Sequence, residues 1–178
     1  MIRLISLFVA TSCLGHSAFA DLPSESWKPT LAASFSEQAI EACLGSSRDP
    51  MSCVGVQTAE CTSSADQVPQ DYVVSLCTEI ELDWWDTRLN ANYRKTIAQL
   101  EEFDQLYSYG NGDPDQTLVA TYRAAQRAWI GFRDASCAHT RISTGAREGQ
   151  AASELMMGCL LTMTAVRALE MEQTLSAN

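Results

Sequence analysis

PQDYVVSLCTEIELDWWDTRLNANYRKTIAQLEEFDQLY, residues 69–107, decides the fold. Pro69 opens it, and neither proline nor glycine recurs until Gly110. Leu82, Trp85, Leu89, Tyr93, Ile97, Leu100, Phe103 and Tyr107 recur at intervals of three or four, the signature of one helix face. A helix over all of 69–107 would run about 58 Å. That is several times the usual length.

On its C-terminal side, Gly110-Asn111-Gly112-Asp113 breaks the helix. Asp113-Pro114-Asp115-Gln116 starts another with a cap, a first-turn proline and a glutamine. The apolar face expected there is Leu118, Tyr122, Ala125, Trp129, Phe132 and Ser136. After Gly145 and Gly149, a last helix carries Leu155, Cys159, Thr162, Val166 and Leu169 on one side. On the N-terminal side, Ser34-Phe35-Ser36-Glu37 reads as a capping box for a short helix stopped by Gly45, and Pro50 opens a second running to about Cys61. No run alternates apolar and polar residues as a strand would. The expected architecture is all-α: an antiparallel three-helix domain at 69–175, a cysteine-stapled short-helix segment at 34–68, a flexible lead-in at 21–33 and an export signal at 1–20.

The signal is read from Arg3, the apolar stretch Leu4 to Leu14, and Ala18-Phe19-Ala20, with the cut expected after Ala20. A periplasmic or secreted location follows, and no membrane span is expected in the mature chain. Cys13 goes with the signal, leaving Cys43, Cys53, Cys61, Cys77, Cys137 and Cys159. An even count in an exported chain argues for disulfides, and no C-x-x-C pair suggests zinc or redox chemistry. The simplest scheme is local: Cys43 with Cys53, Cys61 with Cys77, and Cys137 with Cys159. Closing the 22-residue loop of the last pair should contribute roughly 3 kcal/mol.

The 178 residues carry 12 Lys and Arg against 22 Asp and Glu, a net charge of −10. Such a surface repels phosphate backbones, so no nucleic-acid partner is expected. Of the two histidines only His139 survives signal removal, which excludes the common catalytic zinc arrangements. No nucleophile elbow accompanies His139. No catalytic residue, metal or cofactor is expected, and the oligomeric state is left open.

Three groups of residues could carry function. Asp86, Asn90 and Tyr93 share one stripe of the long helix, while Gln126, Arg133 and Cys137 share a stripe beside Trp129 on the next. Antiparallel helices would bring a carboxylate, an amide and a guanidinium together, with Asp134 and Arg167 nearby. A network of that kind can bind a ligand or simply fix helix register, and the second use is preferred. Glu79, Asp83 and Asp86 form an acidic stripe suited to a basic partner. The turn Tyr107-Ser108-Tyr109-Gly110-Asn111-Gly112-Asp113 places two tyrosines and acids at a hairpin tip.

The motifs W-D-x-R-L-N-x-x-Y at Trp85–Tyr93 and Q-R-A-W-I-x-F-R-D-x-x-C at Gln126–Cys137 are joined by a C-x-x-x-x-T-x-x-R pattern starting at Cys159, with Leu169 two residues short of the expected place. Together they resemble the LprI-type lysozyme-inhibitor family over about residues 70–172. The resemblance implies an exported bacterial protein with a small, helical, cysteine-bridged domain that inhibits lysozyme. Many lysozymes are strongly basic, so electrostatic capture followed by blocking of the sugar-binding cleft is the expected action. Glu79, Asp83 and Asp86, or the tip bearing Tyr107, Tyr109 and Asp113, would make the contact. The alternatives are an envelope interaction module for another basic protein and, last, a glycan-cleaving enzyme. Non-reducing peptide mapping should recover Cys137 and Cys159 in one crosslinked peptide and no free thiol among the six cysteines.

Overall fold

A computed structural model describes residues 27–66, 68–108, 110, 112–143, 145 and 149–176. The export signal with its cut after Ala20, most of the lead-in, Tyr109 and Asn111 lie outside these. The described residues are helical, with no strand. Short helices α1 (Lys28–Ala32), α2 (Glu37–Ser46) and α3 (Val56–Ser64) precede three long ones, α4 (Gln70–Tyr107), α5 (Leu118–Ser143) and α6 (Gln150–Ser176).

The 38-residue α4 is the spine. Its first half packs Val73, Leu76, Cys77 and Ile80 against Leu31, Cys61, Ala65 and Val68 of the N-terminal segment. Its middle packs Trp85 and Leu89 against Ile40 of α2 and against Leu161, Ala165, Ala168, Leu169 and Met171 of α6. The order is up, down, up. Gln150 bonds Ser75 while Asn92 bonds Ala168, so α6 runs parallel to α4. Arg133 meets Thr164 and Gln126 meets Arg167, so α5 runs antiparallel to α6. Ala165 and Ala168, both fully buried, let the α4 and α6 backbones approach closely.

Three cysteine pairs stand at disulfide distance in the expected scheme: Cys43–Cys53, Cys61–Cys77 and Cys137–Cys159. The middle one ties α3 to α4, across the division expected between residues 68 and 69.

The deepest polar contact is a carboxylate. Glu81 of α4 is fully buried and accepts hydrogen bonds from the backbone N–H groups of Gly55 and Thr58, each at 2.7 Å, and from the Thr58 hydroxyl at 2.9 Å. Trp85 Nε1 donates to it at 3.2 Å. These amides belong to the first turn of α3, whose N-cap, Gly55, offers no side chain. Glu81 therefore supplies from another helix the acceptor that α3 lacks, placed where the helix dipole favours negative charge.

Several local expectations shift. The α2 cap is Ser36, whose hydroxyl accepts from Ala39 N–H, while Ser34 Oγ donates back to Leu31. The Ser36 N–H goes to Gln57 Oε1 at 2.8 Å, an acceptor 21 residues away doing what Glu37 was expected to do. The segment after Pro50 is two pieces, a 3-10 turn at Pro50–Cys53 and α3, because Gly55 adopts a φ of 89° between them. Asp113-Pro114-Asp115-Gln116 likewise forms a 3-10 turn, and α5 starts only at Leu118. Its first amides, Leu118 and Val119 N–H, donate to the Asp104 carboxylate at 2.8 and 3.0 Å.

Part of the expected lead-in is α1. Its Lys28 Nζ meets Glu79 at 2.7 Å and Asp83 at 3.0 Å. Burial alone would lower the Lys28 pKa, but the hydrogen bonds to Glu79 and Asp83 outweigh it and hold the ammonium above its ordinary value. That contribution is complete at neutral pH and is lost only as pH rises through the raised lysine pKa.

The buried faces of α5 and α6 are rotated from those expected. On α5 the line is Val119, Gln126 and Cys137, with Phe132 64% exposed. On α6, Leu161, Ala165, Ala168 and Met171 face inward together with the expected Leu169, while Leu155 and Thr162 are exposed. The Cys137–Cys159 bridge and the polar pairs between α5 and α6 set this rotation. Apolar count alone points one residue away. By length and composition α6 could cross a membrane, although no such span was expected there; in this fold it is the helix packed along α4.

Replacing Glu81 with Ala strands several buried donors and should lower unfolding free energy by about 3 kcal/mol, with Glu81→Gln intermediate. A urea titration followed by tryptophan emission checks this, since Trp85 reports directly.

Candidate functional site

The stripe residues of α4 and α5 do converge. Asp86, Leu89, Asn90 and Tyr93 from α4 and Arg123, Gln126, Arg127, Trp129, Ile130 and Arg133 from α5 line one groove of about 270 Å³. It exists because α4 packs mainly on α6, so the α4–α5 seam above Leu89 stays partly open. Asp86 and Arg133 also border a neighbouring cleft with Leu82, Asp83 and Thr87, and so stand on the ridge between the two.

Within the groove the polar groups are fixed by two separate sets of bonds. Asn90 Nδ2 donates to Asp86 Oδ2 at 2.8 Å near the rim. Deeper, Arg167 Nε donates to Gln126 Oε1 at 3.1 Å, and Arg133 Nη1 to Thr164 Oγ1 at 3.3 Å. Arg133 also pairs with Asp134 at 2.9 Å. The guanidiniums of Arg133 and Arg167 lie 5.2 and 5.8 Å from the Trp129 ring centre, within cation–π range. Tyr93 stacks on Tyr122 at 5.9 Å. The inner set ties α5 to α6, whereas the Asp86–Asn90 pair ties α4 only to itself.

Glu79 and Asp83 leave this groove to hold α1 through Lys28. Tyr107 and Asp113 stand exposed at the α4–α5 tip. Tyr109 lies outside the described residues.

Sequence reasoning passed over four groups. Glu81 is one. Arg88 is another: its guanidinium sits over Trp84 and bridges Glu41 and Glu172, whose carboxylates, with burial opposing, hold its pKa above the ordinary arginine value. Asn92, almost fully buried, donates to the Ala168 carbonyl at 3.3 Å and to Glu172 at 2.9 Å. Arg123 and Arg127 complete the groove; their spacing of four, the same as that of Gln126 and Ile130, was the available signal. Among the described residues, no three His, Cys, Asp or Glu side chains come together to hold a metal ion.

Comparison with known proteins gives two positive results. A family model described as lysozyme inhibitor LprI matches residues 61–171, from α3 to the last turns of α6. An uncharacterized protein of Rhizobium meliloti (strain 1021) is 30% identical over 107 residues, which cover 58% of this chain and 73% of the relative. No solved structure matches.

The two sets of bonds in the groove should separate on mutation. Asn90→Ala removes one exposed bond and should change stability by less than about 0.5 kcal/mol, whereas Arg133→Ala should cost roughly 1–2 kcal/mol. Denaturant midpoints of the two variants distinguish them.

Proposed function

The chain belongs to the lysozyme inhibitor LprI family, and from that premise we propose that it is an exported acidic protein that binds lysozyme and blocks its sugar-binding cleft with the tip between α4 and α5. The family match and the three disulfides fit a protein working outside the cytoplasm. The observation that carries the choice of surface is the tip itself. Leu106 and Tyr107 are 66% and 63% exposed, and, unlike the equally exposed Phe132, they have Glu101, Glu102, Asp113 and Asp115 around them in sequence, all exposed.

An apolar anchor inside an acidic rim suits a basic partner. The acids speed encounter, and the aromatic and leucine side chains supply the area that holds. The described residues of the tip are also held in shape. Phe103 stacks on Tyr107 at 6.1 Å, and Asp104 clamps the start of α5. Gly110 has a φ of 92°, and a Cβ there would stand 2.7 Å from the Asp113 carbonyl oxygen. A preorganised tip avoids part of the ordering cost of binding. Glu79 and Asp83 are engaged with Lys28 and contribute through the general negative field.

Purified mature protein in micromolar excess should slow lysozyme turnover on cell-wall substrate, and unchanged turnover would overturn the reading. Inhibition should weaken as salt rises from roughly 0.05 to 0.5 M, because exposed charges are screened. Tyr107→Ala should weaken inhibition by tenfold or more, about the effect of losing an interface anchor, while leaving the fold intact.

A further inference from the structure

The lining of the groove between α4 and α5 is richer in cationic groups than the molecule as a whole. In a chain of net charge −10 it gathers three guanidinium groups on one wall, against the single carboxylate of Asp86 on the other. Arg133 is answered by Asp134, and Arg123 meets Glu101 at 3.4 Å at an exposed edge. Arg127 makes no ion pair among the described residues. Gln126 adds a second unspent group. It is 6% exposed, its Oε1 is taken by Arg167, and its Nε2 makes no hydrogen bond among the described residues although it lines the groove. That nitrogen opens onto the groove, where water or a ligand can bond it.

The remaining lining narrows the ligand. Asp86 and Asn90 bond one another through one atom each, which leaves an oxygen on each free to accept from hydroxyl or amide groups. Leu89, Ile130, Tyr93 and Trp129 supply carbon surface. About 270 Å³ holds one ring-sized molecule rather than a chain. One unanswered guanidinium facing a wall that bears a carboxylate suits a monoanion better than a dianionic phosphate, and its planar fork matches a carboxylate.

We propose that this groove binds a carboxylate-bearing sugar, with Arg127 taking the carboxylate, Gln126, Asp86 and Asn90 the hydroxyl and amide groups, and the Tyr93–Trp129 side the ring. The proposal stands apart from the lysozyme reading, since the groove and the tip are different surfaces.

Calorimetric titration of the full disulfide-bonded protein tests this without lysozyme present. The probes are N-acetylmuramic acid, N-acetylglucosamine, which has the ring without the carboxylate, and lactate, which has the carboxylate without the ring. N-acetylmuramic acid should bind at least about tenfold more tightly than either. Arg127→Ala should weaken it by about tenfold, Arg127→Lys should restore part of the loss, and the exposed Arg48→Ala should leave it unchanged. Absence of heat up to about 10 mM, equal binding of the three probes, or indifference to Arg127→Ala would each overturn the proposal.

Discussion

The fold depends on one buried carboxylate. Glu81 sits in the middle of a contact between α3 and α4, accepts two backbone amides and a hydroxyl from the start of α3, and takes the indole N–H of Trp85. A charged group without water is costly unless every lone pair is used. Here the donors converge on it, so the site tolerates few other arrangements. Glu81 fixes where α3 begins and how Trp85 is turned, and Trp85 is the largest fully buried side chain of the core shared with α6. The N-terminal segment and the three-helix part are therefore joined by chemistry as well as by the Cys61–Cys77 bridge.

From that junction the length of α4 does the rest. One end is covered by α1 and α3, the middle by α2 and α6, and the far end projects toward the turn before α5. A helix covered unevenly leaves two consequences. The tip stays exposed with its apolar pair, and the seam with α5 stays open as a groove. Neither is a packing defect: Asp104 at the tip, and Gln126 with Arg133 in the groove, are committed to bonds that hold those shapes.

How much of this could be read from the residues follows from the range of each interaction. The α4 periodicity, the Pro and Gly stops and the local cysteine spacings are short-range signals, and they gave the helices and the pairs. The caps were legible in type but not in place, because Gln57, Glu81 and Asp104 cap helices far from themselves in sequence. The faces of α5 and α6 were read one residue away, since the Cys137–Cys159 bridge and Gln126, Arg133 and Arg167 outrank exposed Phe132 in setting rotation. The convergence of Asp86, Asn90, Tyr93, Gln126, Trp129 and Arg133 was legible from stripe geometry. Its split into a rim pair and an inner network was not, nor was the diversion of Glu79 and Asp83 to Lys28.

One small crosslinked helical body thus carries two proposed surfaces, an acidic tip for lysozyme and, for a sugar acid, a groove with one guanidinium unpaired among the described residues. The lysozyme contact proposed is the α4–α5 tip. Hydrogen exchange of the protein alone and in complex tests that most directly. Protection on adding lysozyme should concentrate at the end of α4 and the start of α5, around residues 101–108 and 113–119, with α2 and α3 unchanged. Protection centred on any other face, or none at saturating lysozyme, would contradict it.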